Sequence, residues 1–479
     1  MGSRYNGIAT SCDAAVSQPI LFIFVVACLV SGIILFRVLK SGQGKMHVGF
    51  QLSFLAAYWM NHLFALPGYF IPGYCGISPE FEVPGAWVTL YGLLGFVAGA
   101  LFLPRLFGVR QPQNFRNAPT EVPSSLRNGL VILGLLFFAA TRVVGEGGFT
   151  GFQAIFSGGQ QLLVVAVVLN IWEAARKKRY RTVAFWVAFS FVFPFETIIS
   201  MGFIGFGIAS MFPVLIFATT CIGRRSYSKI VLAAVVSLYL GLTLWVNYAR
   251  ERNQIRESVW GGDRFSGRVE AFAQTFKHFE WLSMDNPTHM DAIGGRLNQT
   301  WLVGAGVVYI ENTQEWAHGE TLKYAALSFI PRLLWPNKPT QGGSSLISRY
   351  TGQQFSEGTS VPMGQVLEFY VNYGSWMVFF GFTAIGGLLG YMDTAAHNAL
   401  NTGAFNRFIT CFLIGIACQQ VGHDLPPMVV GAVVGILLTS GLQMFMRMRA
   451  KRKQNDAVRP AVTTGILPSR TNPYAHWRY

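Results

Sequence analysis

The chain has 479 residues, 52% of them hydrophobic and 12% charged, with a formal net charge of +15. Soluble domains carry about 25% charged residues, so this composition excludes an ordinary soluble enzyme and points to an all-α polytopic membrane protein. Positive charge in such a chain gathers in the loops that set orientation, which makes nucleic acid a poor candidate partner and membrane lipids a natural one.

The first apolar run, Ile20 to Leu39, is long enough to span and is followed by no small-residue cleavage site. About eleven spans are predicted in all. They cover 20–39, 47–66, 86–104, 126–145, 158–175, 182–199, 203–222, 229–249, 367–391, 405–421 and 427–447. One set of flanks holds Arg37, Lys40 and Lys45, then Arg105, Arg110, Arg116 and Arg127. It continues with the run from Arg176 to Arg181, with Arg224, Arg225 and Lys229, and with "RMRAKRK". The alternate flanks are nearly empty of positive charge, so the amino terminus is expected outside and the carboxy terminus inside. Cys12 and Cys75 then share the oxidising side; a disulfide and two separate thiols are equally open.

The spans divide the chain. Residues 1–249 form a bundle of about eight membrane helices, 250–366 a long outward loop, 367–447 three further helices, and 448–479 a basic cytoplasmic tail whose polar composition reads as disorder. The loop places Arg250, Arg252, Arg256, Arg264, Arg268, Lys277, Arg296, Lys323, Arg332, Lys338 and Arg349 where orientation does not need them. As many acids accompany them. Short helices are expected in the loop rather than a separate domain, because alternating strand patterns are scarce.

Within it, "FIPRLLWPNKPTQGG" (Phe329 to Gly343) follows the apolar stretch "TLKYAALSFI", which is expected as a short helix on or in the outer leaflet. Its prolines stiffen the turn. Arg332 offers a planar fork for phosphate oxygens, Lys338 a point charge, and Trp335 a ring for a sugar face or the headgroup level. Phosphate recognition and simple anchoring to lipid stand side by side at this point.

The ninth span opens with "MGQVLEFYVNYGSW", bringing Glu368, Tyr370, Asn372, Tyr373 and Trp376. An acid just inside a membrane helix is costly unless paired or facing a cavity, so Glu368 is a candidate general base or an arginine's partner. Arg250 stands at the end of the eighth span. Arg252 and Arg256, and likewise Arg264 and Arg268, are four residues apart, the spacing of a helical clamp for a diphosphate. Glu251, Glu257, Asp263 and Glu270 could instead neutralise them. Arg142, Glu146, Glu196, His423 and Asp424 are expected at the same membrane face as the long loop, and together suggest an outward polar site. His318 and Glu320 are further proton-transfer candidates. The cysteines form no CxxC pair and no acidic cluster reads as a metal site, so neither metal nor cofactor is expected.

"IPRLLWPNKP", followed by "GQVLEFYVNYGSWMVFFGF", resembles the bacterial oligosaccharide repeat unit polymerases, the Wzy-type O-antigen and exopolysaccharide polymerases. The many spans and the late outward loop are similar too. Family members usually carry an arginine near the acid of the last short outer turn; here that turn reads "GHDLPP", with His423 in its place.

The resemblance implies a GT-C-like, metal-independent glycosyltransferase of the bacterial inner membrane with its site on the periplasmic face. An acceptor hydroxyl of one lipid-linked repeat unit would attack the anomeric carbon of another, and undecaprenyl diphosphate would leave. A flippase and a chain-length regulator are the implied partners. Such a reaction needs charge stabilisation, positioning and a base. Glu368 is the first choice for the base, then Asp424 or His423. Arg332, Lys338, Trp335, Arg264, Arg268, Arg250, Arg142, Tyr370 and Asn372 are the candidate diphosphate and sugar contacts. A glycan ligase would need nearly the same site. A flippase of lipid-linked oligosaccharide would spread its charges through the spans, and these gather at one face.

Overall fold

A computed structural model describes residues 14–41, 47–70, 78–106, 121–145, 150–221, 227–261, 263, 265–295, 297–338, 344–355 and 361–458. All described elements are helical. They are α1 (Ala14–Ser41), α2 (Phe50–Tyr58), α3 (Pro79–Leu106), α4 (Ser124–Gly145), α5 (Thr150–Arg176), α6 (Tyr180–Ser190), α7 (Val192–Met201), α8 (Gly205–Cys221) and α9 (Tyr227–Trp260). Then follow α10 (Phe265–Gln274), α11 (Pro287–Gly294), α12 (Thr300–Thr313), α13 (Glu320–Leu327), α14 (Ser344–Thr351), α15 (Gln365–Thr402), α16 (Phe405–Ala417) and α17 (Leu425–Val458). Among the described residues six helical stretches are long and apolar enough to cross a membrane: Val16–Arg37, Pro79–Leu106, Gly158–Arg176, Tyr180–Ser200, Gln365–Thr402 and Leu425–Met448. Shorter apolar helices cover Ser124–Ala140, Gly205–Cys221 and Phe405–Ala417. The chain is a helical, membrane-associated protein.

Three long helices, α1, α3 and α15, lie side by side and run the same way. Phe22 meets Trp87 with ring centroids 5.9 Å apart. Further along, the Arg37 guanidinium donates to Ala100 O at 3.0 Å. Gly95 and Gly99 of α3 lie against the carbonyls of Phe379 and Thr383, in the same order on α15. A Cβ at Gly99 would sit 1.9 Å from Thr383 O, so this close backbone approach requires glycine. Small residues permit such contact where lipid supplies no hydrophobic drive between helices. α2 runs the opposite way: Phe54 stacks on Phe96 at 4.4 Å, and the Tyr58 hydroxyl donates to Thr89 O at 2.6 Å.

The bundle therefore has two distinct ends. Arg37 and Arg105 interact at one of them, and there Asp393 accepts from Gly49 N at 2.8 Å and pairs with His47 at 3.8 Å. The other end carries Glu82, the start of α15 and the turn before α17.

The expected loop of 250–366 is not uniformly peripheral. Leu302, Val303, Ala305, Val307 and Ile310 of α12 are buried. α12 crosses α3 so tightly that a Cβ at Gly304 would lie 1.7 Å from Phe81 O. At 14 residues it is too short to span, and for that reason its apolar run does not read as a membrane helix in sequence. α13 buries Thr321 and Ala325 and packs on α15 and α17. α9 runs past its expected end at 249 to Trp260, where Ile255 and Val259 join Tyr248 and Ile198 in a small separate core.

Candidate functional site

α15 begins at Gln365 and breaks after two turns. Tyr373 (φ −150°, ψ 26°) and Gly374 (φ 72°, ψ −162°) leave helical geometry, and the second angle favours glycine. A break in an apolar helix frees backbone groups that need partners. The turn from Trp316 to Thr321 supplies one, and the Asn372 side chain binds that turn to the helix. Ala317 N donates to Val371 O at 2.8 Å. Gly319 N donates to Asn372 Oδ1 at 2.8 Å, and Asn372 Nδ2 donates to Thr321 Oγ1 at 2.7 Å and to Glu368 O at 2.6 Å. Asn372 is thus the clasp between α15 and α13. The supporting turn is itself unusual: Gln314, His318 and Gly319 all have left-handed φ.

One turn before Asn372, Glu368 is buried, and its Oε2 accepts from Leu425 N at 2.5 Å, across 57 residues of sequence. That N–H opens α17, so the carboxyl sits at the positive end of a helix. Asp424, the preceding residue, turns the other way. Its Oδ1 accepts from Met363 N at 2.7 Å and Gly364 N at 3.2 Å. Burial pushes the Asp424 carboxyl above its ordinary range against those two donors. Glu368 therefore holds the residue after Asp424, and Asp424 holds the two residues before the start of α15. His423 stacks on Phe206 with centroids 5.1 Å apart, and burial lowers its imidazole below the usual value.

The basic loop is rooted on the same turn. Ser328 Oγ donates to Pro426 O at 3.2 Å. The Lys338 ammonium donates to the carbonyls of Ser328 and Ile330, just past the carboxy end of α13, where a cation is favoured. The Arg332 Nη1 donates to Lys338 O at 2.8 Å. Burial, and then Arg332, lower the Lys338 pKa. Trp335 faces Tyr324 with ring centroids 6.3 Å apart. Tyr370 donates to Glu311 Oε1 at 3.2 Å and meets the Trp316 ring at 5.8 Å.

Glu368, Asp424, His423, Asn372, Tyr370, Arg332, Lys338 and Trp335 are thus tied to one junction of α13, α15 and α17. Arg250 and Arg268 are not. Arg250 pairs with Glu251 and Glu280, each at 3.0 Å, and reaches His278 O. Arg268 donates to Asp263 O at 2.8 Å. Both belong to the α9–α10 region. Arg264, Glu146, Cys12 and Cys75 lie outside the described residues, and Arg142 is on α4. Sequence reading missed Thr321, Ser328, Gly364 and the Pro426 carbonyl. It could have found the break, because a glycine inside an apolar run is a signal for one; the partners lie too far along the chain to be read from spacing.

Fold and junction together describe a helical membrane protein with a polar centre built where a broken helix meets a helix-opening turn. Residues 120–414 match the family described as a domain of unknown function, DUF8712, and the chain belongs to that family. The match includes Arg332 and Glu368 and ends before His423 and Asp424. No curated protein and no solved structure matches the chain.

Proposed function

We propose that this protein is a glycosyltransferase that joins oligosaccharide repeat units carried on undecaprenyl diphosphate, at the outer face of the bacterial inner membrane. The observation that supports this most is the junction itself. A buried carboxylate at the head of a membrane helix stands beside a turn bearing a second acid and within one loop of two cations. A carboxylate for the acceptor hydroxyl and cations for the diphosphate are what this transfer needs.

In this reading the acceptor hydroxyl attacks the anomeric carbon of the donor. The bond to the diphosphate oxygen breaks, Glu368 takes the hydroxyl proton, and the departing diphosphate carries its charge to Arg332 and Lys338. The leaving group is already good, so positioning and electrostatics carry most of the rate. Lys338 places two of its three donors on carbonyls, so it steadies the loop as well as contributing charge. Asp424 and His423 shape the turn that holds Glu368. The parallel course of α1, α3 and α15, with Arg37 and Arg105 at one end and Glu368 at the other, is compatible with an outward amino terminus and an inward carboxy terminus.

The direct test is incubation of purified protein with a lipid-linked repeat unit, without nucleotide sugar or added metal. A ladder of longer products is expected; an unchanged starting unit under conditions where the protein is folded removes the reading. Transfer to a lipid A-type acceptor without a ladder would favour the ligase. A short tag after Asn312, an exposed position, should react from outside in intact cells; reaction only after permeabilisation reverses the orientation.

A further inference from the structure

The loop from Phe329 to Lys338 ends in an apolar tip. Leu333 is 90% exposed, Leu334 76% and Phe329 47%, an unusual cost in water for three large side chains in one short turn. The tip is not a loose segment. Leu334 N and Trp335 N both donate to Pro331 O, at 3.0 and 3.1 Å, closing a tight turn. Lys338 ties the base of the turn to Ser328 and Ile330, and Ser328 is tied to Pro426, the second residue of α17. The tip is therefore held at a fixed place beside the end of an apolar helix.

We propose that Leu333 and Leu334 form a wedge inserted into the lipid layer, with Arg332 at the level of the lipid phosphates. Three features favour lipid over a partner protein. The loop is rooted on one membrane-length helix, α17, through Pro426, and α13, which leads into it, packs on another, α15. The apolar tip is followed and preceded by cations, the arrangement in which chain and headgroup are met by adjacent side chains. α15 itself exposes Trp376 (75%) and Phe380 (59%), large apolar rings of the kind that face lipid. A wedge of this kind would hold the cationic base of the loop at the depth where a lipid-borne phosphate lies. It does not depend on the glycosyl-transfer reading.

The test uses the full chain in nanodiscs of phosphatidylcholine and phosphatidylglycerol. Spin labels at Leu333→Cys and Leu334→Cys are compared with Asn312→Cys as a water-exposed reference and Phe380→Cys as a lipid-exposed one. The unsubstituted chain supplies the blank for its own six cysteines. Collision with a water-soluble nickel chelate is expected to be several-fold lower at 333 and 334 than at 312, with oxygen collision matching that at 380. Nickel collision equal to that at 312 overturns the proposal, as does shielding from both reagents, which would mean a protein covers the tip. A label-free measurement guards against disturbance by the substitutions. Photolabelling of the unsubstituted chain by a diazirine-bearing phosphatidylcholine should modify the Phe329–Lys338 peptide; its absence among modified peptides, with α15 labelled, also overturns the proposal. Either result leaves the ladder assay of glycosyl transfer unaffected.

Discussion

Two regions of this molecule carry charged side chains and hold them differently. In the α9–α10 region, arginines meet nearby partners: Arg250 finds Glu251 and Glu280, and Arg268 finds Asp263 O five residues back. At the α13–α15–α17 junction the buried acids rest on backbone donors instead. Glu368 and Asp424 accept from backbone N–H groups contributed by segments about sixty residues away. Exposed ion pairs form wherever chain proximity allows, and each contributes little. Buried carboxylates need fixed dipoles, and those have to be built by the fold. A region that spends fold to hold an acid in place is the better candidate for chemistry.

The largest effects should come from breaking the junction. Glu368→Gln keeps the shape and removes the base. Product formation in the ladder assay should fall about 10²–10⁴-fold, while the variant still inserts and runs as a folded species on size exclusion. Arg332→Ala should abolish long polymer in cells while single repeat units still reach the surface; normal chain length there would remove the diphosphate role.

Next comes the clasp. Asn372→Ala leaves Gly319 N and Thr321 without their partner at a buried site, so a loss of about 1–3 kcal/mol per orphaned group is expected. Thermal unfolding in detergent would read this, and proteolysis between Trp316 and Thr321 should quicken. Unchanged melting and cleavage would mean the break in α15 is stable without its support.

A smaller effect separates the two acid–base neighbours of the turn by sign. Asp424 has a raised folded pKa, so it contributes stability below its unfolded value near 3.8 and loses it as pH rises through the folded pKa. His423 has a lowered folded pKa, so its contribution is present above about 6.5 and is lost as pH falls through the folded value. Asp424→Asn and His423→Phe should therefore flatten opposite slopes of melting temperature against pH. The same slope change in both would mean that one coupled titration governs the turn.

The smallest effect is the control for the comparison. Arg250→Ala should cost about 1 kcal/mol or less and leave the product ladder unchanged. A large loss of polymer would move the α9–α10 region into the reaction.

Much of the fold class was legible in the sequence, because apolar runs of span length have one physical solution in lipid, the helix. The acid in "QVLEFYVN" and the acid in "GHDLPP" also stood out, since charges beside apolar runs are expensive. Less was legible in between. α12 hid inside the long loop because fourteen residues do not span. The arginine pairs at four-residue spacing suggested clamps; Arg268, a member of one pair, donates to a backbone oxygen, and Arg250, outside both pairs, meets Glu251 and Glu280.

By itself the sequence determined the membrane setting, the charge asymmetry between alternate flanks and the residue types available near one end of the bundle. Local composition is enough for these, because partition between lipid and water acts residue by residue. Only the tertiary structure decided that Glu368 would meet Leu425 N, that Asn372 would close the break in α15, that Lys338 would sit on the end of α13, and that Leu333 and Leu334 would point outward. Those pairings depend on how helices pack across many intervening residues, and no spacing along the chain encodes them.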